Sequence, residues 1–228
     1  MAAHLLSLNV GRAEPSTAKN VGVTGIAKRP VEHAHLRAPG PKHGGLGSGV
    51  EGDFLGDTRH HGGDYQAVYA VAREELDWWA AQLGREVPHG MFGENLTTTR
   101  LDVDGALVGE RWAVGDKVVL EVCGPRIPCA TFAARMGERG WVKRFSDVGR
   151  TGAYLSVVTG GTVRAGDVIE VVSRPAHDIT VPDTFRAFMG DLEMAERVLA
   201  AGCLVDVEAA ELRETVARRR PTTAELDA

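Results

Sequence analysis

The sequence predicts a mainly β fold, in which a β-barrel with a few helices is followed by a small C-terminal appendage of three helices. Two observations favour this class. Short apolar runs alternate with Gly-Gly and Gly-Asp turns up to about residue 175, which is typical of a compact barrel. Beyond Pro175 the apolar residues take up helical spacing instead. The expected domains are therefore a barrel domain at 1–176 and a three-helix domain at 177–228.

Strands are predicted where a run of apolar or alternating residues ends at glycine or another turn-forming residue. One pair of runs is joined by Gly115 and Asp116, which is a strong signal for a β-hairpin. In chain order, the predicted strands are 4–10, 21–27, 34–38, 97–101, 108–114, 117–122, 152–158 and 168–172.

A long amphipathic helix is predicted over 64–83, because apolar residues recur there at steps of four, four, three and four. Asp64 suits its N-cap and Gly84 its C-terminal stop. This helix would begin beside His60 and His61, and helix N-termini attract anions. The alternative is that both histidines only occupy a turn. The other predicted helices are 130–136, 140–148, 183–189, 191–201 and 207–219.

Composition limits the classes of partner and the compartment. A formal net charge of −5 argues against nucleic acid as the main partner. No apolar run reaches the length of a membrane span, and the first residues show no secretion signal. Three cysteines, an odd number, suit a reducing compartment. We therefore expect a cytoplasmic protein without nucleic-acid or membrane partners.

The segment Cys123-Gly-Pro-Arg-Ile-Pro-Cys129 is the strongest single indication of chemistry. Cys129 lies where a predicted strand gives way to a helix, and Arg126 beside it favours the thiolate, the form that attacks electrophiles or binds metals. Pro125 and Pro128 stiffen the turn and make a disulfide between the two cysteines awkward. The alternative is that Cys129 is a small buried apolar residue.

Two other patterns point to rival kinds of site. Residues 47–52 match G-x-G-x-x-G, but no clear buried strand precedes them and no helix follows, so we reject a dinucleotide site. A zinc hydrolase would draw on a set of histidines whose spacings match no standard zinc motif. That set is His33, His35, His43, His60 and His61.

Five short motifs together resemble the MOSC domain family, most of all its YiiM branch, which carries a C-terminal three-helix extension. The motifs are, in order, Gly52-Asp53, His61-Gly62-Gly63, Phe92-Gly93-Glu94-Asn95-Leu96, Pro125-Arg126-Ile127-Pro128-Cys129 and Trp141. The resemblance covers about residues 5–219. It implies a barrel-based β fold and a molybdenum cofactor, a pterin dithiolene with a terminal phosphate. It also implies reduction of N-hydroxylated compounds such as hydroxylaminopurines, hydroxylamines and amidoximes.

The resemblance assigns a role to each site residue. Cys129 matches the cysteine that ligates molybdenum in the family, and Asn95 and Asp53 are expected to act with it in catalysis. Asp57 is expected to line the same pocket. At Gln66 related chains often carry arginine, so no anion contact is assigned there. The expected cofactor-binding residues are His61, Gly62, Gly63, Arg59, Asn95, Arg126 and Cys129.

If the resemblance holds, two electrons must come from outside the chain. The cysteines lack an iron–sulfur spacing, and we find no credible flavin or nicotinamide motif. We therefore expect an external flavin or iron–sulfur electron-transfer protein as partner; a homodimer is one option for the assembly. The alternative function is a non-catalytic carrier of molybdenum cofactor or sulfur.

In a functional site, these residues are expected to line one cleft: Cys129, Arg126, Asn95, His61 and Asp53.

Overall fold

The computed structural model describes residues 2–19 and 21–219 of the chain. Residues 1, 20 and 220–228 lie outside the described part, and they include the end of the predicted three-helix domain. The strands are β1 (Ala3–Val10), β2 (Glu14–Pro15), β3 (Val23–Thr24), β4 (Arg29–Val31), β5 (His33–Leu36), β6 (Val68–Ala72), β7 (Leu96–Thr99), β8 (Arg111–Val114), β9 (Val118–Pro125), β10 (Ala153–Thr159), β11 (Gly161–Arg164) and β12 (Val168–Ser173). The helices are α1 (Arg73–Leu83), α2 (Ala130–Met136), α3 (Trp141–Val148), α4 (Val181–Met189), α5 (Leu192–Ala201) and α6 (Asp206–Arg219).

Seven of these strands close into a barrel in the order β1-β12-β8-β9-β10-β6-β7, with β7 returning to β1. The closing pair sets His4 of β1 opposite Val168 of β12. Neighbouring strands of the barrel are antiparallel except β6 and β7, which run parallel. Leu5, Trp112 and Leu120 are fully buried in the interior, because alternate side chains of a strand point inwards. The predicted fold class is confirmed.

The hairpin between β8 and β9 follows the prediction closely. Val114 lies opposite Val118, with Gly115 and Asp116 in the turn between them. The helix predicted at 130–136 has those bounds in the structure. The strand predicted at 21–27, in contrast, shrinks to the two residues of β3. Five residues of this segment line a cleft beside the barrel instead, so the segment serves as a wall and not as a barrel strand.

The helix predicted over 64–83 is wrong in its first half. A single 3-10 turn, Asp64–Gln66, leads into strand β6, and α1 begins only at Arg73 with Ala72 as its N-cap. All five side chains of β6 are buried, so this strand needs no polar face. Its residues Val68 and Ala72 happen to continue the helical spacing of the residues that follow. The stop at Gly84 is correct. His60 and His61 therefore precede a turn and a strand, and the expectation of a helix N-terminus beside them fails.

The C-terminal helices pack on the barrel through α4. The amide of Val181 donates to the carbonyl of Ala106 at 3.0 Å, and the amide of Val108 donates to the carbonyl of Ile179 at 3.1 Å. The last strand ends at Ser173 and α4 begins at Val181, so the predicted domain boundary falls in the connection between them. No helix in the described ranges is long and apolar enough to cross a bilayer. The helices share a small core formed by Ile179, Ala187, Met194, Ala195, Val198, Leu212 and Val216.

Candidate active site

A cleft of about 690 Å³ opens beside the barrel, between the loops at 21–28 and 47–67 and the turn from β9 into α2. Tyr154 of β10 and the segment before β7 complete its lining. The five residues that were expected to converge all line it: Cys129, Arg126, Asn95, His61 and Asp53.

Cys129 lies at the start of α2, where it occupies the N-cap position with extended backbone angles. Burial by itself would raise the pKa of its thiol, but a hydrogen bond with His61 and the charge of Arg126 outweigh burial and lower the pKa to about 6. Most of the thiol is therefore ionised at neutral pH. A reactive or metal-binding cysteine needs this state.

Cys123 differs from Cys129 in both place and ionisation. It lies within β9, does not line the cleft, and donates a hydrogen bond to the carbonyl of Glu121 at 3.5 Å. Burial raises the pKa of its thiol to about 12. Neither cysteine forms a disulfide. Cys129 is thus the cysteine whose position and charge suit chemistry in the cleft.

Arg126 is a buried guanidinium held between two aromatic rings. Its Cζ atom lies 4.4 Å from the centre of the Phe132 ring and 4.9 Å from that of Tyr69. These rings fix the plane of the side chain through cation–π contacts. The Nε atom is buried without a hydrogen-bond partner, and no carboxylate forms an ion pair with Arg126 within the described residues. A buried charge in this state favours an anionic partner in the cleft.

Asp53 is the centre of a buried hydrogen-bond network. Its carboxylate accepts hydrogen bonds from the amide of Gly11 at 2.7 Å, the hydroxyl of Ser48 at 2.8 Å and the side-chain amide of Asn95 at 3.0 Å. Lys28 Nζ donates to both carboxylate oxygens and forms an ion pair with them. The side chain of Asp53 is only 2% exposed. Its oxygens are therefore committed to groups of the protein.

Asn95 joins this network to two barrel strands. Its Oδ1 accepts a hydrogen bond from the amide of Tyr69 at 3.2 Å, and its Nδ2 also donates to the carbonyl of Asn9 at 3.2 Å. Glu94 beside it is fully buried and accepts hydrogen bonds from two backbone amides and from Thr97. The Gly-Glu-Asn motif thus holds the ends of β1, β6 and β7 together next to the cleft.

The His61-Gly62-Gly63 segment forms one wall of the cleft. Gly62 and Gly63 have φ angles of 90° and 84°, and a Cβ on Gly62 would lie 2.7 Å from the carbonyl oxygen of Gly47. Only glycine therefore allows this close approach at the observed angles. His61 and Gly62 line the cleft, whereas Gly63 is buried behind it and donates to the Gly47 carbonyl.

Three further residues of this region differ in how they meet the cleft. Arg59 does not line it: its side chain is 81% exposed and lies near Asp57, in a neighbouring surface hollow. Asp57 lines both the cleft and the hollow, and its carboxylate also contacts His60 at 2.8 Å. Gln66 lines the cleft and accepts a hydrogen bond from the amide of Gly62 at 3.2 Å, a contact that an arginine could not make.

Sequence reasoning missed Lys28, Ser48, Tyr69 and Tyr154. Lys28 belongs to a loop with no periodic pattern, and its partner Asp53 is far away in the sequence. Tyr69 falls within the predicted helix 64–83, where the structure has strand β6 instead. The zinc alternative receives no support, because the described residues contain no group of three or more histidine, cysteine or carboxylate side chains placed to hold a metal ion.

The chain is similar to known proteins in both sequence and fold. The model of the MOSC domain matches residues 57–170. YflK of Bacillus subtilis is 32% identical over 206 residues, which cover 88% of each chain. A reductase of Gibberella moniliformis is 33% identical over 131 residues, 56% of this chain and 23% of that protein.

YiiM of Escherichia coli is 29% identical over 138 residues, which are 59% of this chain and 61% of that protein. The crystal structure of YiiM from Geobacillus stearothermophilus superposes with a TM-score of 0.73 at 21% identity, covering 94% of this chain and 99% of that one. At this identity the superposition establishes the shared fold alone.

Proposed function

The chain belongs to the MOSC domain family, and we propose that it is a molybdenum-cofactor-dependent oxidoreductase that reduces N-hydroxylated compounds to amines. Its relatives include YiiM and a protein named a reductase. The substrate class consists of hydroxylaminopurines, hydroxylamines and amidoximes. The overall reaction breaks the N–O bond, consumes two electrons and two protons, and releases an amine and water.

One observation carries this proposal: an ionised thiol and an unpartnered buried guanidinium face the same cleft. Cys129 has a pKa lowered to about 6, against the opposing effect of burial, and Arg126 has no ion-pair partner among the described residues. A soft thiolate suits a metal that is already held by sulfur. A fixed cation beside it suits an anionic organic group.

The residues present fit the molybdenum cofactor. Cys129 would supply the metal ligand, and Arg126 with His61 and the backbone at Gly62 would hold the anionic part of the pterin. Arg59 lies outside the cleft and would reach only a group that extends into the neighbouring hollow. When bound, the cofactor would supply the two-electron chemistry of the reaction.

The protein positions and shields the reacting groups. Asp53 and Asn95 have their side-chain polar atoms bonded within the network, so we assign them to positioning and not to direct attack. His61 keeps Cys129 ionised through its hydrogen bond. Val21, Val23 and Phe54 line the cleft with apolar surface that limits access of water.

The electrons are proposed to come from an external flavin or iron–sulfur protein, because the chain has three cysteines without an iron–sulfur spacing. A cytoplasmic location and a homodimer are parts of the same proposal. In the second candidate function, the chain carries the cofactor or sulfur on Cys129 without turning over a substrate.

The two cysteines provide a matched test. Cofactor-loaded Cys129→Ser should lose nearly all reduction of hydroxylaminopurine with a chemical electron donor, whereas Cys123→Ser should keep most of it. Molybdenum and zinc are measured in each purified protein, and Cys123→Ser is the control for loss of a thiol. Wild-type activity in Cys129→Ser would refute the proposal. Molybdenum in the wild type without reduction of any N-hydroxylated compound would favour the carrier instead.

A further inference from the structure

A second cation reaches the cleft besides Arg126. Lys28 lines the cleft, yet only 8% of its side chain is exposed. Its ammonium donates to both carboxylate oxygens of Asp53. An ammonium has three N–H donors. The third finds no hydrogen-bond acceptor within the described residues.

Asp53 fixes the position of this ammonium but does not need it for hydrogen bonding. Three neutral donors already reach the carboxylate, from Gly11, Ser48 and Asn95. The carboxylate therefore holds the ammonium of Lys28 in a fixed position, and Asn95 links the carboxylate to the barrel strands. A cationic side chain held in this way can present its remaining donor at a constant place in the cleft.

The charges that face Lys28 are Asp53, Arg126 and Glu94. Burial is the largest effect and lowers the pKa of Lys28 below its ordinary value, while Asp53 opposes this and Arg126 lowers the pKa further. An ammonium in this setting gives up a proton more readily than one on the surface.

The other titratable groups that line the cleft are less suited to give a proton. Cys129 is mostly ionised at neutral pH, and His61 is engaged with its thiol. Burial raises the pKa of Tyr154, so its hydroxyl holds its proton. Hydrogen bonding to His60 keeps the pKa of Asp57 below its ordinary value, and arginine does not release a proton in proteins.

We propose that Lys28 is a catalytic residue that hydrogen-bonds the hydroxyl oxygen of the N-hydroxylated substrate and delivers a proton to it as the N–O bond breaks. This inference rests on the proposed function. The substrate nitrogen gains two electrons from the external flavin or iron–sulfur protein. The oxygen leaves as water with one proton from Lys28, and solvent supplies the other proton and then reprotonates the amine of Lys28.

The test uses cofactor-loaded wild type, Lys28→Arg and the double variant Lys28→Met/Asp53→Asn, with Lys143→Met as control. The double variant avoids leaving Asp53 buried as an unpaired charge, and Lys143 is an exposed lysine on α3. We expect kcat to fall by about 100-fold or more in both Lys28 variants with little change in KM, as for loss of a general acid. The fall in wild-type kcat as pH rises through the pKa of Lys28 should disappear.

A second readout needs no cofactor. Lysine labelled with carbon-13 at Cε is followed by NMR through a pH titration of the cofactor-free protein, with Lys28→Arg assigning the Lys28 signal. We expect Lys28 to titrate below the ordinary pKa of a lysine side chain. A Lys28 signal that titrates at or above the ordinary pKa of a lysine side chain would contradict the proposed proton transfer.

The outcomes separate the two proposals. Loaded wild type that reduces no N-hydroxylated compound overturns the proposed function, and the role of Lys28 falls with it. An active wild type whose Lys28 variants retain its kcat and its pH profile overturns the role of Lys28 alone. Normal molybdenum content and thermal midpoint in the double variant establish that lost activity is not lost folding.

Discussion

The interior of the barrel and the aromatic cluster next to α2 are built from different side chains. The barrel interior is filled mainly by leucine, valine and alanine, with Trp112 as a large exception. The cluster beside it is dominated by rings at centroid distances of 4.8 to 6.3 Å, and these rings contact one another edge-on or tilted except for Trp79 and Phe145, which are stacked. Its ring-bearing members are Tyr69, Trp79, Phe92, Phe132, Trp141 and Phe145.

This difference shows that the two cores have different tasks. The aliphatic interior decides which strands meet and where the barrel closes. The aromatic cluster orients the side chains of the cleft. The Phe132 ring packs against the guanidinium of Arg126, and Phe132 lies one helical turn after Cys129. Phe92 packs on Phe132 at 5.1 Å and precedes Asn95 by three residues. A cavity in the first core should cost stability alone, whereas one in the second should also change the chemistry of the cleft.

The largest expected effect comes from truncating Phe132. Phe132→Ala should lose about 3–5 kcal/mol of unfolding free energy, because a fully buried ring is replaced by a cavity. It should also raise the pKa of Cys129, because Arg126 loses one of the rings that hold it near the thiol. Unfolding in urea gives the stability, and the rate of Cys129 alkylation against pH gives the pKa in the cofactor-free protein.

The barrel offers a matched truncation in Leu120→Ala. This variant should lose about 2–5 kcal/mol for the same reason, since Leu120 is also fully buried. The pH dependence of Cys129 alkylation should stay as in the wild type. A comparable change of the Cys129 pKa in both variants would show that the two cores are not separate in function.

The next prediction separates the effect of the Arg126 charge from the effect of its packing against the rings. Arg126→Met keeps most of the apolar contact with the rings but removes the charge, so the Cys129 pKa should rise from about 6. A rise of about one in this pKa would lower the thiolate fraction about tenfold at pH 5. Alkylation rates from pH 4 to 9 measure the change. His61→Ala should raise the pKa further, because its hydrogen bond contributes more than Arg126 does.

The same ionisation predicts how stability depends on pH. The pKa of Cys129 in the folded chain, about 6, is lower than that of an ordinary thiol. Its contribution to stability is therefore complete above the pKa of the unfolded thiol and lost as pH falls through about 6. Urea unfolding of the cofactor-free protein at pH 5.5 and pH 9 should show a smaller difference for Cys129→Ala than for the wild type. An equal difference in both proteins would contradict the lowered pKa.

The sequence predicted what is local and missed what depends on distant contacts. The β8–β9 hairpin and the helix that begins after Cys129 follow from turn residues within a few positions, and both are present. Strand β6 was mistaken for helix because burial on all sides removes the alternation that marks a strand.

The candidate site shows the same limit. Cys129 and Arg126 lie three positions apart, so their mutual influence could be expected from the sequence. The link between Lys28 and Asp53 exists only because the barrel brings two distant loops together. No short sequence pattern around Lys28 predicts this ion pair. The positioning of Asn95 by Asn9 and Tyr69 depends on barrel closure in the same way.

The smallest expected effect comes from a substitution at Tyr69, at the edge of the aromatic cluster. Tyr69→Phe removes the hydrogen bond from the Tyr69 hydroxyl to the carbonyl of Thr151, 2.6 Å long, but keeps the ring under Arg126. Stability should fall by about 1 kcal/mol, the net worth of one hydrogen bond. The Cys129 pKa should not change. A raised Cys129 pKa in this variant would show that the hydroxyl, and not only the ring, positions Arg126.

The pairing of β1 with β12 has a consequence for biosynthesis. A ribosome that has released the chain as far as β11 holds an open sheet, with β8 and β1 unpaired on the sides that β12 later joins. Open edges invite pairing with other nascent chains. The barrel can close only after β12 has left the exit tunnel, so the edges of β8 and β1 stay unpaired until nearly the whole barrel segment has been released.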